Sequence, residues 1–298
     1  MRYLSKYLFV VFGLYILAAC SKRLDNYDLE YSGDRLVVFG NISNENGVTI
    51  YLTHTLPPTG TYYLDEIDVN VSAAIITLLE NNTVVDTLVE PEPGLYITSY
   101  LPTPGNSYSI NVVADGFETA FSENVIFPQP INLEEVVYET DFENINGDPA
   151  FSLEPVFTDD PSNDNFYSFG FRYYIEDTVI LYDVFESPDD EPFGCSPGVF
   201  KFNDTFIKLY ADNCFAGTTF PFKFICSKVY HLENIVPFEK CEFECNVISK
   251  ELFDYVANIS ETEGIELLLS DPKLNYTNIT NGFGVFWAQN DTTFVYHF

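Results

Sequence analysis

The sequence predicts a mainly β protein, built as two β-sandwich domains behind a short N-terminal leader. Three observations carry this. Residues suited to a pleated, half-buried surface dominate, with 28 Phe and 21 Tyr against a single Met and a single Trp. Turn signals recur about every eight to twelve residues along the chain. And Tyr167, Phe169, Phe171 and Tyr173 alternate with Ser168, Gly170 and Arg172, the period of two of a strand with one buried face. The balance of charge narrows the function classes. With 45 acids against 13 bases and a net charge of −32, the chain would repel phosphate, which excludes a nucleic-acid partner. A hydrophobic fraction of 46% is too high for a disordered chain.

The elements follow in order. Arg35–Ile42 and Val48–Thr55 flank Ser43-Asn44-Glu45-Asn46-Gly47, a hairpin signal ending in Asn-Gly. Val69–Leu79, Thr83–Leu88, Gly94–Ser99, Tyr108–Ala114 and Thr119–Ile126 complete a first domain, 34–126, of immunoglobulin- or transthyretin-like type. Phe127-Pro128-Gln129-Pro130 marks a linker, 127–130, because two prolines one residue apart favour an extended connector. Leu133–Glu139, Ala150–Phe157, Phe166–Ile175, Val179–Phe185, Thr205–Tyr210, Phe220–Leu232, Glu242–Ile248, Gly284–Ala288 and Thr293–Phe298 build a larger sandwich, 131–298. One helix is expected within it: Ser249 caps it, Leu252, Phe253, Val256 and Ile259 share one face, and Gly264 ends it.

The first nineteen residues read as a secretory signal. Arg2 and Lys6 form a positive start, Tyr7 to Leu17 an apolar stretch too short to span a bilayer comfortably, and Leu17-Ala18-Ala19-Cys20 resembles the bacterial lipobox. That resemblance implies cleavage before Cys20 and lipid on its thiol, leaving 20–33 as a polar tether. The membrane is then reached through that lipid.

Five further cysteines lie in the second half, and an exported protein permits disulfides. Five is odd, so at least one stays unpaired or pairs outside the chain. Cys226 and Cys245 flank the turn-like Asn234-Ile235-Val236-Pro237 and would meet across a hairpin; Cys195 and Cys214 are the other candidate pair, and Cys241 the candidate free thiol. A zinc reading of Cys241-x3-Cys245 with His231 lacks a second close pair and is set aside in favour of no metal.

The three histidines, His54, His231 and His297, fall in no recognisable nucleophile or zinc motif. Asp159, Asp160 and Asp164, and separately Asp189, Asp190 and Glu191, cluster in loops that read as solvated rather than as calcium sites. Tyr62, Tyr63 and Phe193 are loop aromatics suited to an interface or to stacking on a sugar. No catalytic residue and no cofactor is predicted.

Several segments resemble a known family. Arg35-Leu36-Val37-Val38-Phe39-Gly40-Asn41-Ile42, Gly94-Leu95-Tyr96-Ile97, Pro104-Gly105-Asn106-Ser107-Tyr108, Phe157-Thr158-Asp159-Asp160-Pro161 and the closing Ser249–Tyr255 and Asn278–Phe286 are similar to motifs of the Bacteroidota lipoproteins grouped as domain of unknown function 4249. The resemblance implies an outer-membrane lipoprotein, often encoded beside a TonB-dependent receptor, and hence a non-enzymatic accessory that helps such a barrel capture or admit its substrate. The alternative is a free-standing adhesin or a glycan- or peptide-binding module, and a hydrolase using acidic residues stands last. Lys22 and Arg23 directly follow Cys20, where surface-exported relatives carry acids, so the periplasmic face and the cell surface both stay open.

Overall fold

The computed structural model describes residues 33–57, 68–143, 147, 149–162, 164–176, 178–180, 185–186, 196, 199–202, 205–220, 223–231, 235–260 and 276–298. The structure is mainly β, in several sheets. The expected leader, Cys20, most of the tether, Tyr62, Tyr63, Phe193, Cys195 and the Asp189 cluster lie outside the described residues.

Nine strands precede the proline segment: β1 (Leu36–Ser43), β2 (Gly47–His54), β3 (Ile75–Glu80), β4 (Thr83–Thr87), β5 (Val89–Glu92), β6 (Leu95–Thr98), β7 (Ser107–Val113), β8 (Ala120–Ser122) and β9 (Val125–Ile126). The β1–β2 hairpin turns where Asn-Gly predicts it: Gly47 adopts a φ of +72° and the Asn46 N–H donates to Ser43 Oγ at 2.9 Å. After 127–130 come β10 (Leu133–Glu143), β11 (Pro149–Phe157), β12 (Phe166–Ile175), β13 (Thr178–Ile180), β14 (Phe185–Glu186), β15 (Val199–Phe202), β16 (Thr205–Ala211), β17 (Phe224–Ser227), β18 (Val229–His231), β19 (Ile235–Pro237) and β20 (Lys240–Ile248). Helix α1 (Lys250–Ser260) follows, then β21 (Ile279–Thr280), β22 (Gly282–Asn290) and β23 (Thr293–His297).

One long sheet organises the molecule, in the order β15-β16-β12-β20-β22-β1-β2-β6-β5, with β13 and β23 beside β12 and β20. It takes strands from both sides of 127–130. The join is β22, which runs parallel to β1 in a register that sets Val38 against Gly284 and Phe286 against Gly40. Gly284 makes this approach possible: its φ is +100°, and a Cβ there would sit 1.9 Å from the Val38 carbonyl oxygen.

Two smaller sheets back the same face of the long one. β21-β8-β7-β3-β4, with β9 on β7, closes a core of Leu36, Val38, Ile50, Leu52, Ile76, Leu78, Ile110, Val112 and Phe286. β10-β11-β17-β14 closes a second core, rich in aromatics. There the predicted alternation is realised: Tyr167, Phe169, Phe171 and Tyr173 all point inward, and the Phe169 ring lies within 4.8–6.3 Å of Phe220, Phe224, Tyr210 and Phe243. Each such buried ring contributes about 2–3 kcal/mol relative to exposure.

On the opposite face of the long sheet, α1 lays Leu252 and Val256 against Ile207, Leu209, Val285 and Trp287. The expected cap residue Ser249 is spent differently: its hydroxyl accepts from the Ala288 N–H at 3.1 Å and its own N–H donates to the Ala288 carbonyl, tying the helix start to β22.

The cysteines correct one expectation. Cys226, Cys241 and Cys245 are all free and buried, so the Cys226–Cys245 bridge is not formed. The hairpin around 232–234 closes between β18 and β19, with Val229 against Pro237, rather than between the two cysteine strands. Cys226 therefore sits on β17, paired with β11 and β14, while Cys245 sits on β20, paired with β12 in the facing sheet. Burial pushes the Cys226 thiol up to about 12 and raises Cys241 and Cys245 above the ordinary range. Cys214 ends a short 3-10 turn, Asp212–Cys214, and its side chain is not among those described.

Candidate functional site: a polar groove on the long sheet

Side chains alternate across a strand, so the inward aromatic stripe of β12 puts Ser168, Gly170 and Arg172 on the other face. The register carries this face across the sheet. Ser168 pairs with Asn246 and Arg172 with Glu242 on β20, Ser43 with Gln289 on β22, and Asn41 with Thr49 on β2, which in turn faces Ile97 on β6. α1 covers one end of this face. Beyond it, between the helix and the β1–β2 turn, lies a groove of about 490 Å³. Adjacent strands are about 4.8 Å apart, so the six strands from β12 to β6 span about 24 Å.

The floor is polar and buried, which is costly unless its groups find partners. Asn41 is 7% exposed, Ser168 1% and Asn246 2%. Asn246 Oδ1 accepts from the Thr292 N–H at 3.2 Å, leaving its amide nitrogen for the groove. The Asn41 amide and the Ser168 hydroxyl bond to nothing among the described residues and face the cavity. Gln289, by contrast, is fully engaged: its Oε1 accepts from Trp287 Nε1 and its Nε2 donates to Asp291 Oδ1. Thr49, Tyr51, Asn46, Thr98 and Ser99 form one wall, with Tyr51 39% exposed, and Leu95 and Ile97 add apolar patches.

Charge gathers at one end. Arg172 Nη2 donates to Glu244 and Nη1 to Glu242 Oε2 at 3.4 Å, while Lys240 Nζ and the Tyr174 hydroxyl complete the shell of Glu242 at 2.9 and 2.6 Å. Burial raises the Glu244 carboxyl above the usual range, with Arg172 opposing and Glu45 and Glu242 adding to it. Glu242 is held below that range: burial opposes, but the hydrogen bonds from Tyr174 and Lys240 outweigh it. Nearby Asp291, held by Gln289, is raised to about 7, chiefly by burial and then by the charges of Glu45 and Glu244.

A larger cleft of about 620 Å³ lies between 127–132, 157–167 and 247–251. Of the acids that line it, Asp160 accepts the Ser162 N–H at 3.0 Å, and two further acids next to it in the fold are internal acceptors. Asp159 takes the Tyr167 hydroxyl at 2.6 Å, Asn165 Nδ2 at 3.1 Å and the Gly217 N–H at 3.2 Å, and Asp212 takes the Asn165 N–H at 2.6 Å. The loop expected to be solvated is thus knit into the fold at Asp159. Glu251 keeps one buried oxygen without a partner there. Among the described residues, no group of three or more His, Cys, Asp or Glu is placed to hold a metal.

None of the predicted site residues that lie among the described residues lines the groove. Cys226, Cys241 and Cys245 sit in the core behind it, and His54 contacts the Thr55 carbonyl through Nδ1 at 2.8 Å. The residues that sequence reasoning missed are Asn41, Ser168, Asn246, Arg172 and Glu244. Their signal was the polar half of an alternating strand, which by itself looks the same as a solvated face.

The geometry defines a mainly β protein with a buried polar groove across its central sheet. The chain belongs to the family described as Domain of unknown function (DUF4249), whose profile matches residues 25–294. A comparison with the curated proteins finds no match. Among solved structures, the crystal structure of a "Putative membrane anchored protein from Corynebacterium diphtheriae" is similar at 14% identity and a TM-score of 0.20, over 73% of this chain and 55% of that one. The chain spans about half the length of that protein, and a likeness this loose carries no argument.

Proposed function

We propose that this protein is a non-enzymatic, lipid-anchored outer-membrane lipoprotein that captures a ligand for a TonB-dependent receptor barrel. Residues 1–19 are then the signal peptide, Cys20 carries the lipid, and the β body follows a short tether, with its first strands arranged as an immunoglobulin- or transthyretin-like sandwich. The observation that carries the capturing role is the groove, into whose space Asn41, Ser168 and Asn246 turn hydrogen-bonding atoms that no other described residue engages. The lipobox at Leu17–Cys20 supports the anchor, and the likeness to lipoproteins encoded beside such receptors supports the barrel. The ionisable groups of the groove pair with one another, Arg172 with Glu242 and Glu244, which suits binding better than proton transfer.

The test is a mild-detergent pull-down from native outer membrane with a C-terminal tag, alongside labelling with radioactive palmitate. A stoichiometric TonB-dependent barrel and label lost in Cys20→Ala support the reading. Recovery of the protein alone favours the free-standing binding module, and turnover of a ligand abolished by Glu244→Gln replaces the non-enzymatic reading altogether.

A further inference from the structure

We propose that the groove on the outer face of the long sheet binds a neutral oligosaccharide, read by Asn41, Ser168 and Asn246. This rests on the ligand-capturing reading above and names its ligand class.

Four observations carry it. First, the floor strands offer an incoming peptide no open edge in the groove: β20, β1 and β2 have strand partners on both sides, and β22, paired with β20 at Gln289 and Asn290, has the same edge occupied by Asn278 at Phe286 and by Ser249 at Ala288, so the ligand must be read by side chains. Second, the side chains on offer are amides and hydroxyls. Asn41, Asn46, Asn246, Thr49, Ser99 and Ser168 each present groups that donate and accept, matching a sugar hydroxyl that does both. Three of these residues are more than nine-tenths buried and turn polar atoms into the groove that no other described residue engages. Third, the field excludes anions. The one guanidinium, Arg172, is already matched by Glu242 and Glu244, Glu45 adds to the acidic side, and the whole chain carries −32. Phosphorylated, sulfated or carboxylated ligands are therefore repelled. Fourth, Tyr51, Leu95, Ile97 and Ile207 give the groove apolar surface against which the C–H faces of sugar rings can lie. Its 490 Å³ and its run across six strands suit several rings rather than one.

The experiment uses the full-length protein purified in mild detergent. Neutral gluco-, xylo- and manno-oligosaccharides from di- to hexasaccharide are titrated by calorimetry, with a sulfated oligosaccharide and an uncharged peptide as counter-probes. Saturable binding is expected to at least one neutral series, tightening with length to a plateau and unchanged between low and high salt. Asn41→Ala and Ser168→Ala each weaken it about tenfold. They leave the unfolding midpoint intact or higher, because the atoms removed bond to nothing else described. Asn246→Asp serves as a further variant, keeping the acceptor for Thr292 while replacing the donor facing the groove. A folded wild-type protein that binds none of the neutral series overturns the proposal. So does binding that survives the Asn41→Ala/Ser168→Ala double change, or a preference for the sulfated sugar or the peptide. The two readings separate cleanly. A barrel recovered by a protein that binds no neutral oligosaccharide removes the ligand class and leaves the accessory role; sugar binding without a barrel does the reverse.

Discussion

Asp291 offers a prediction whose size can be worked from its surroundings. It sits half-buried beside the groove, with Oδ1 accepting from Gln289 Nε2 at 2.6 Å and Oδ2 buried without a hydrogen-bond partner. Burial, then the charges of Glu45 and Glu244, raise its carboxyl from an ordinary 3.8 to about 7. A raised folded-state value means the ionised form is disfavoured in the native protein. The stability linked to this group is thus fully present below about pH 4 and is lost as pH rises toward 7. The full shift, near three units, corresponds to about 4 kcal/mol, of which about 2–3 kcal/mol falls between pH 5 and pH 8. Asp291→Asn removes the charge and keeps an oxygen for Gln289. Urea denaturation of both proteins from pH 5 to 8 stays above the isoelectric point of 4.1 and cancels the repulsion common to the two chains. The variant is expected to gain on the wild type by about 2–3 kcal/mol across that interval, flattening above pH 7. A difference that stays constant with pH, or a variant that loses stability at pH 8, would refute the reasoning.

Three further changes probe the framework. Asn278 is buried and grips Phe286 by both backbone groups, donating from Nδ2 to its carbonyl at 2.7 Å and accepting its N–H at 2.9 Å. Asn278→Ala strands both and should cost about 2–5 kcal/mol in urea denaturation, and a loss under about 1 kcal/mol would argue against that role. Gly284→Ala places a methyl against the Val38 carbonyl at a φ of +100° and should cost at least about 3 kcal/mol, with faster amide exchange along β1; unchanged exchange at Val38 would count against the close approach. Cys226, Cys241 and Cys245, buried and with raised thiols, should resist iodoacetamide at pH 8 until denaturant is added; peptide mapping that finds them modified in the native protein would contradict their burial.

Much of the local structure was legible in the sequence. The Asn46-Gly47 hairpin, the inward stripe Tyr167–Tyr173 and the α1 face at Leu252 and Val256 are short-range patterns, and each formed where its period or turn chemistry placed it. What the sequence hid is long-range. Nothing local to Gly284 says that it lies against Val38, 246 positions earlier, yet that pairing makes one sheet out of strands from both ends of the chain. The cysteine expectation failed for the same reason. A turn near Pro237 predicts a hairpin, but which strands it joins depends on partners elsewhere, and β18 with β19 took the turn that Cys226 and Cys245 needed. The groove was invisible for a related cause. Ser168 and Arg172 read as the solvent side of a strand, and the groove around them is built by neighbours on other strands, Asn246 and Glu244 on β20 and Asn41 on β1.

That dependence also bears on why such a groove would be kept. Asn41 comes from the first strand, Ser168 from the middle of the chain and Asn246 from near its end, and they share a floor only because β22 joins β1 to the strands of the second half. Their free amide and hydroxyl atoms open into the groove rather than into dry core, so water meets them there and a ligand has to replace the hydrogen bonds that water makes. Apolar residues in place of Asn41 and Ser168 would break no hydrogen bond among the described residues. Side chains gathered from three distant parts of the chain, two of which hold nothing else in the fold together, have the distribution expected where residues are kept for binding rather than for stability.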